Sequence, residues 1–326
     1  MLLAADVGGT KTLIGLYRPP GPRPTLVESR VYATLAFENM SQLVDAFLGE
    51  VGPVAIEAIT AGVAGPVHGL EATLTNAPWS ANLGEIADRL HCRAALLNDL
   101  EAMAYSVSVL TDDELVVLQA GEPEPDGNAG LIAAGTGLNA SHIQNIDGRL
   151  VPSPSESGHA DFAARTDDEL RLVKELVRTY GRADVESVVS GRGIVNLYRF
   201  THRDDPASAS CPVSGSANGD VAADVTASAL EHRCPRCVAA LDMFVSAYGA
   251  ETGNLALRSL TTAGVYVGGG IAPKILPALT NGRFMDAFLA KPPMDDVLAR
   301  IPVKVILNPS AALIGASVKA ASLIGR

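Results

Sequence analysis

Short apolar runs that stop on glycine are the dominant pattern of this chain. Leu2-Leu3-Ala4-Ala5-Asp6-Val7 runs into Gly8-Gly9-Thr10-Lys11, and Leu131-Ile132-Ala133-Ala134 runs into Gly135-Thr136-Gly137-Leu138. Each reads as a buried strand that turns sharply and re-enters an apolar run. Residues 2–7, 12–17 and 26–33 are predicted strands, the first two joined through Gly8-Gly9-Thr10 and the next two by Pro19-Pro20-Gly21-Pro22. Further strands are predicted over 55–63, 94–97, 264–267 and 303–307. Helical spacing marks 41–48 behind Ser41 as an N-cap, 83–90, a segment through Met103 and Val107, 167–180, 225–260, and 311–323 behind Ser310. The stretch 201–223, rich in Ser, Ala, Asp and Gly, reads as a mobile loop. Alternating strands and helices imply an α/β protein, and the two strand–turn–strand starts hint at a duplication.

Composition narrows this picture. With 326 residues, 48% of them hydrophobic, the chain is long enough for two domains with substantial cores. A net charge of −11 argues against nucleic acid and anionic membrane surfaces as partners. No apolar stretch approaches the roughly 18 residues of a spanning helix. No basic segment precedes the apolar start, so no leader is expected. Four cysteines are too few for a disulfide scaffold of this size, and a cytoplasmic location is expected.

Glycine turns at strand ends let backbone N–H groups approach an anion closely, and two of them suggest a clamp on a polyphosphate. Asp6, just before the first turn, is placed to hold a Mg²⁺–phosphate unit through metal-bound water, or else simply to form the turn. Asn98-Asp99 follows a buried strand and opens a helix, the place where ligands bind in open α/β sheets. A carboxylate there could take a proton from a substrate hydroxyl; the pair also reads as a plain helix cap. Gly268-Gly269-Gly270 after a strand suits a nucleoside, or merely a tight turn. Glu156, His159 and Glu186 are suitable partners for sugar hydroxyls, with a structural role for His159 as the alternative.

His232-Arg233-Cys234-Pro235-Arg236-Cys237 offers soft ligands close together, but zinc wants four, and Cys92 and Cys211 stand isolated in the sequence. These cysteines read as packing residues.

In their order along the chain, these motifs resemble the bacterial glucokinase family of the hexokinase/actin-like ATPase superfamily. Asp6-Val7-Gly8-Gly9-Thr10 is similar to its first phosphate motif, Ala134-Gly135-Thr136-Gly137-Leu138 to its second, and Val267-Gly268-Gly269-Gly270-Ile271 to its adenosine motif. Glu156-Ser157-Gly158-His159-Ala160-Asp161-Phe162 resembles the family's E-G-G-H-x-D-F sugar segment, with Ser157 in place of the first glycine. The segment Ser190 to Tyr198 resembles the one that follows the third sugar carboxylate, here Glu186. The sister ROK kinases carry a Cys-rich zinc motif shortly after the Glu/His segment; this chain has no cysteine between Cys92 and Cys211, so that motif is absent.

The resemblance implies a two-domain actin-like ATPase fold, ribonuclease H-like, with an interdomain cleft. The expected domains are a small one over 1–108 plus 303–326 and a large one over 109–302. It implies glucose and ATP as substrates, Mg²⁺ as cofactor, and a homodimer. Asp99 would be the catalytic base, with Asn98, Glu156, His159 and Glu186 holding sugar hydroxyls. Asp6, Gly8, Gly9, Thr10, Lys11, Gly135, Thr136, Gly137 and Gly268 to Gly270 would bind the nucleotide, and Asp6 the metal through water. The alternatives are a kinase for another hexose or phosphoryl donor, and a sugar-sensing regulator.

Overall fold

The structure is a computed structural model that describes residues 1–74, 79–203, 211–215 and 219–325. It divides into two units: 1–114 with 150–154 and 308–326, and 115–149 with 155–307.

The first unit is built on β1 (Leu2–Val7), β2 (Lys11–Arg18), β3 (Thr25–Ala33), α1 (Met40–Val51), β4 (Ala58–Val63), β5 (Val67–His68), β6 (Glu71–Thr73), β7 (Ser80–Asn82), α2 (Leu83–Leu90), β8 (Arg93–Asn98) and α3 (Asp99–Ser106). Its main sheet has the order β3-β2-β1-β4-β8. The β1–β2 and β2–β3 pairs are antiparallel, and β1–β4 and β4–β8 are parallel. β1 and β4 are apolar on both faces because both faces are covered. One face packs on α1 and α2 through Val44, Phe47 and Ile86. The other packs on α3 and the last helix, Ala311–Ile324, through Ala102, Leu313, Ala316 and Ala320. That crossing needs Gly315, since a Cβ there would sit 1.7 Å from the Ala102 carbonyl oxygen. α1 starts two residues earlier than its apolar spacing suggests: Asn39, not Ser41, caps it, accepting the Gln42 N–H. Such a cap contributes about 1 kcal/mol. Ser310 precedes the last helix without a side-chain cap bond.

Apart from β12 (Arg149–Pro154), whose residues 150–154 are assigned to the first unit, the remaining elements make up the second unit: β9 (Leu115–Gln119), β10 (Ala129–Ala134), β11 (Leu138–Ile146), α4 (Asp167–Tyr180), α5 (Gly191–His202), α6 (Val221–Leu230), α7 (Pro235–Ser259), β13 (Gly264–Gly268), α8 (Leu276–Leu279), α9 (Arg283–Leu289), α10 (Asp295–Ala299) and β14 (Val303–Ile306). The sheet order is β12-β11-β10-β13-β14-β9. Its core runs from Ile132 and Val267 to Phe244, Tyr248, Phe284 and Phe288.

Three expectations need correction here. The single helical stretch over 225–260 is two helices, because His232 turns left-handed (φ 53°) and Pro235 restarts the chain at the first turn of α7. The 201–223 stretch is not a loop throughout: α5 runs through His202 and α6 begins at Val221, while 204–210 and 216–218 lie outside the described residues. Cys211 is not isolated in space; its sulfur lies 3.7 Å from that of Cys237. Among the described residues, no helix is long and apolar enough to cross a membrane.

Candidate active site

In the first unit, strand register assembles the charged groups. Val7 pairs with Val63 and Val63 with Asn98, so Asp6 and the Asn98-Asp99 pair reach the same carboxyl edge of the parallel strands β1, β4 and β8. Gly62 lets the start of α3 lie close over β4, because a Cβ there would meet the Ala102 Cβ at 2.6 Å. Asn98 is indeed the N-cap of α3: its Oδ1 accepts the Leu100 N–H at 3.0 Å, and its Nδ2 donates to the Gly65 carbonyl at 3.4 Å. The Leu100 N–H also donates to Asp99 Oδ1 at 2.9 Å. Capping and a functional role are thus compatible, since the bonds that end the helix also fix where these side chains stand.

Burial, and secondarily the negative charge of Asp99, push the Asp6 carboxyl up to about 6 against the pull of Lys11. Two electrostatically coupled carboxylates at one strand edge are a hard-oxygen donor set, and a divalent cation would relieve both the repulsion and the desolvation. These residues fit Mg²⁺. The glycine turn beside them is held from behind: the Thr34 hydroxyl donates to the Gly8 carbonyl at 2.7 Å and the Thr34 N–H to Thr10 at 3.1 Å. Gly9, Thr10 and Lys11 are exposed, and a Cβ on Gly9 would meet nothing within 4 Å. The fold therefore does not require glycine at 9.

In the second unit, the Gly135–Gly137 turn, Gly268–Gly270 and the Glu/His set form one neighbourhood. Gly269 (φ 84°) lies against β10, where a Cβ would stand 2.3 Å from the Ala134 carbonyl oxygen. Gly135 accepts the Gly191 N–H at 2.8 Å, which seats the N-terminus of α5 against the turn. A helix N-terminus beside a glycine turn favours an anion. Glu186 Oε2 accepts the Leu138 N–H at 3.0 Å, and Oε1 accepts from Arg192 at 3.3 Å.

The Glu156–His159 segment lies alongside. Glu186 N–H donates to the Gly158 carbonyl, and Val185 N–H to Ala160, both at 2.9 Å. Gly158 is forced by packing: a Cβ there would fall 1.9 Å from the Leu138 carbonyl oxygen. Ser157 is accommodated because its N–H and hydroxyl both turn to Asn139 Oδ1, at 3.0 and 3.4 Å. Glu156 and His159 are exposed.

The structure adds three residues to this set. Asn139 orders the 155–157 turn and donates to Glu156 at 3.4 Å. Asp184 lies 3.6 Å from His159 Nδ1 and 3.9 Å from Arg192. Burial raises its carboxyl, but bonds from the Ser187 hydroxyl and N–H, with His159 and Arg192, hold it below the usual carboxylate range. Arg192 bridges toward both Asp184 and Glu186. Their sequence signal is only adjacency: Asn139 follows the second turn, and Asp184 and Arg192 flank Glu186.

A family model described as Glucokinase matches residues 3–323. The chain belongs to the glucokinase family. Among its family relatives, the glucokinase of Synechocystis sp. is 37% identical over 345 residues, covering 98% of this chain and 97% of that one. The fold matches the crystal structure of glucokinase from an Antarctic psychrotroph at a TM-score of 0.87, with 26% identity and 98% of both chains covered. At the level of fold alone, the chain also resembles a ROK family glucokinase from Streptomyces griseus, solved with glucose and AMPPNP (TM-score 0.63, 19% identity, 98% of this chain and 99% of that one). The fold is thus a mixed α/β fold shared with glucokinases and ROK sugar kinases.

Proposed function

We propose that this member of the glucokinase family transfers the γ-phosphoryl group of Mg·ATP to the 6-hydroxyl of glucose, on an actin-like ATPase fold. The observation that carries the reading is that Asp6 and Asp99 share the carboxyl edge of β1, β4 and β8, the Asp6 carboxyl being pushed up chiefly by burial and secondarily by the charge of Asp99. A site that must take one proton and neutralise polyphosphate charge needs such a pair.

In this mechanism Asp99 accepts the proton of the attacking hydroxyl, worth about 10²–10⁴-fold in rate. Asn98, Glu156, His159 and Glu186 hold the remaining sugar hydroxyls. Arg192 and Asn139 keep Glu186 and Glu156 in place. The turns at Gly8–Lys11 and Gly135–Gly137 bind phosphates through backbone N–H groups, and Gly268–Gly270 leaves room for the nucleoside. Asp6 would hold Mg²⁺ through water, and the bound ion would supply charge neutralisation at the phosphates. The remaining barrier is lowered by positioning, because phosphoryl transfer asks little covalent chemistry of the protein. We further infer a cytoplasmic homodimer.

The test is glucose 6-phosphate formation from glucose and Mg·ATP in a coupled assay, with a panel of hexoses and phosphoryl donors. Rapid turnover with glucose and ATP supports the reading; turnover confined to another sugar or donor replaces it.

A further inference from the structure

One cluster of metal-ligating side chains has no part in phosphoryl transfer. His202 ends α5, Cys211 follows, and Cys234 and Cys237 open α7. All four are buried, and their ligand atoms lie within 4.8 Å of one another. The Cys211 and Cys237 sulfurs are 3.7 Å apart, and the Cys234 sulfur is 3.5 Å from His202 Nε2. A tetrahedral zinc ion with Zn–S of about 2.3 Å and Zn–N of about 2.05 Å needs S···S and S···N edges of about 3.8 and about 3.6 Å. The two pairs already stand at those edges.

The surroundings are also those of a metal ligand set. His202 Nδ1 lies 2.8 Å from the Tyr198 carbonyl, an acceptor only. That partner assigns the proton to Nδ1 and leaves the Nε2 lone pair facing Cys234. Cys234 caps α7 and Pro235 occupies its first position, so Cys237 returns to the same side one turn later. Cys234 sulfur accepts hydrogen bonds from the backbone N–H groups of Cys237 and Arg236, which favour a thiolate. Three thiolates and an imidazole are a soft set that suits zinc.

We propose that His202, Cys211, Cys234 and Cys237 bind one zinc ion in a closed, structural site. All four positions are supplied by protein, so none remains for water or substrate. The ion ties the end of α5 to the start of α7 and to Cys211. The other end of α5 seats the Gly135 turn through Gly191, so the site braces a helix that carries Arg192. Its position, after Tyr198 and not directly after His159, differs from that of the ROK motif.

The decisive measurement is the zinc content of the full chain, purified with reductant, reconstituted with Zn²⁺ and passed over gel filtration. One tightly held zinc per chain is expected, and Co²⁺ in its place should give the intense visible bands of a tetrahedral thiolate site. In the loaded protein only Cys92 should react readily with a thiol reagent, and stripping the metal should expose the other three thiols and lower Tm. Cys92→Ser should keep the zinc; Cys211→Ser and Cys237→Ser should lose it or bind it at least tenfold more weakly. The wild-type results stand by themselves if either of those two variants fails to fold. Wild-type protein that holds no zinc after reconstitution overturns the proposal. So does a Cys211–Cys237 disulfide in protein alkylated anaerobically, or zinc binding that survives loss of both cysteines.

Discussion

The two sheets share one plan and put different chemistry on it. In the first unit the order is β3-β2-β1-β4-β8, and in the second β12-β11-β10-β13-β14, with β9 added at the edge. In both, an antiparallel hairpin closed by a glycine turn leads into parallel neighbours. The residue one before the end of the first strand is Asp6 in β1 and Ala133 in β10. The first unit therefore ends its parallel strands on ionisable groups that burden one another. The second offers backbone N–H groups, a helix N-terminus and side chains that are already hydrogen-bonded. Repeating a fold need not repeat its chemistry: the strand plan fixes where a ligand edge lies, and single substitutions on it decide between proton transfer and binding.

Removing the charge unique to the first unit should have the largest effect. Asp99→Asn is expected to cut kcat by about 10²–10⁴-fold while glucose affinity stays within a few-fold, by coupled assay and calorimetry. Turnover near that of the wild type would remove Asp99 as the base.

The two glycine turns should behave alike. Gly9→Ala and Gly135→Ala add a methyl group that meets nothing within 4 Å, at backbone angles open to alanine. Each should leave Tm unchanged and raise KM for ATP by about tenfold, the equivalent of 1.4 kcal/mol. Gly269→Ala, with positive φ and a blocked Cβ, should instead lower Tm. If Tm falls in the first two variants as well, those glycines serve the fold and not the nucleotide.

Acid should affect the first unit selectively. Folding raises the Asp6 carboxyl from 3.8 to about 6, so without metal the folded state binds the extra proton. That group's contribution to stability is then least favourable above about pH 6 and improves as pH falls toward 4. Protons and Mg²⁺ compete for it, so half-saturating Mg²⁺ should rise up to about tenfold between pH 7 and pH 5. Asp6→Asn should remove this dependence and raise the Tm of the metal-free protein at pH 7.5 by about 2–4 °C. An unchanged pH dependence in that variant would assign the effect elsewhere.

The smallest change is expected at Ser157→Gly. The N–H bond to Asn139 survives the loss of the hydroxyl, so KM for glucose should stay within about twofold. A larger shift would make Ser157 a determinant of sugar preference.

Much of this comparison is legible in the sequence because it rests on local rules. Both hairpins are readable from apolar runs ending on glycine, and Asn98-Asp99 from a strand running into a helix. Asn139 and Asp184 are not, because they act on Glu156 and His159, well separated from them along the chain; Arg192 is near Glu186 in sequence, but the local pattern does not show that it turns toward it from α5. The break between α6 and α7 is hidden because the helical spacing of apolar residues resumes after His232-Arg233-Cys234-Pro235. The gathering of Cys211 with Cys234 and Cys237 is hidden for a related reason: its ligand spacing is set by helix packing and matches no compact motif.

By itself, the sequence determined strands β1 to β4, β8, β10, β13 and β14, the glycine turns and the motif order that marks the family, but not the short or half-exposed strands β5 to β7, β9 and β12, since backbone preference and periodicity act over a few residues. Tertiary structure alone decided that Asp6 lies within electrostatic reach of Asp99, that Glu186 is held by Leu138, and that His202 meets three cysteines. Strand register and helix crossing bring those groups together across long stretches of chain, and no local preference encodes such distances.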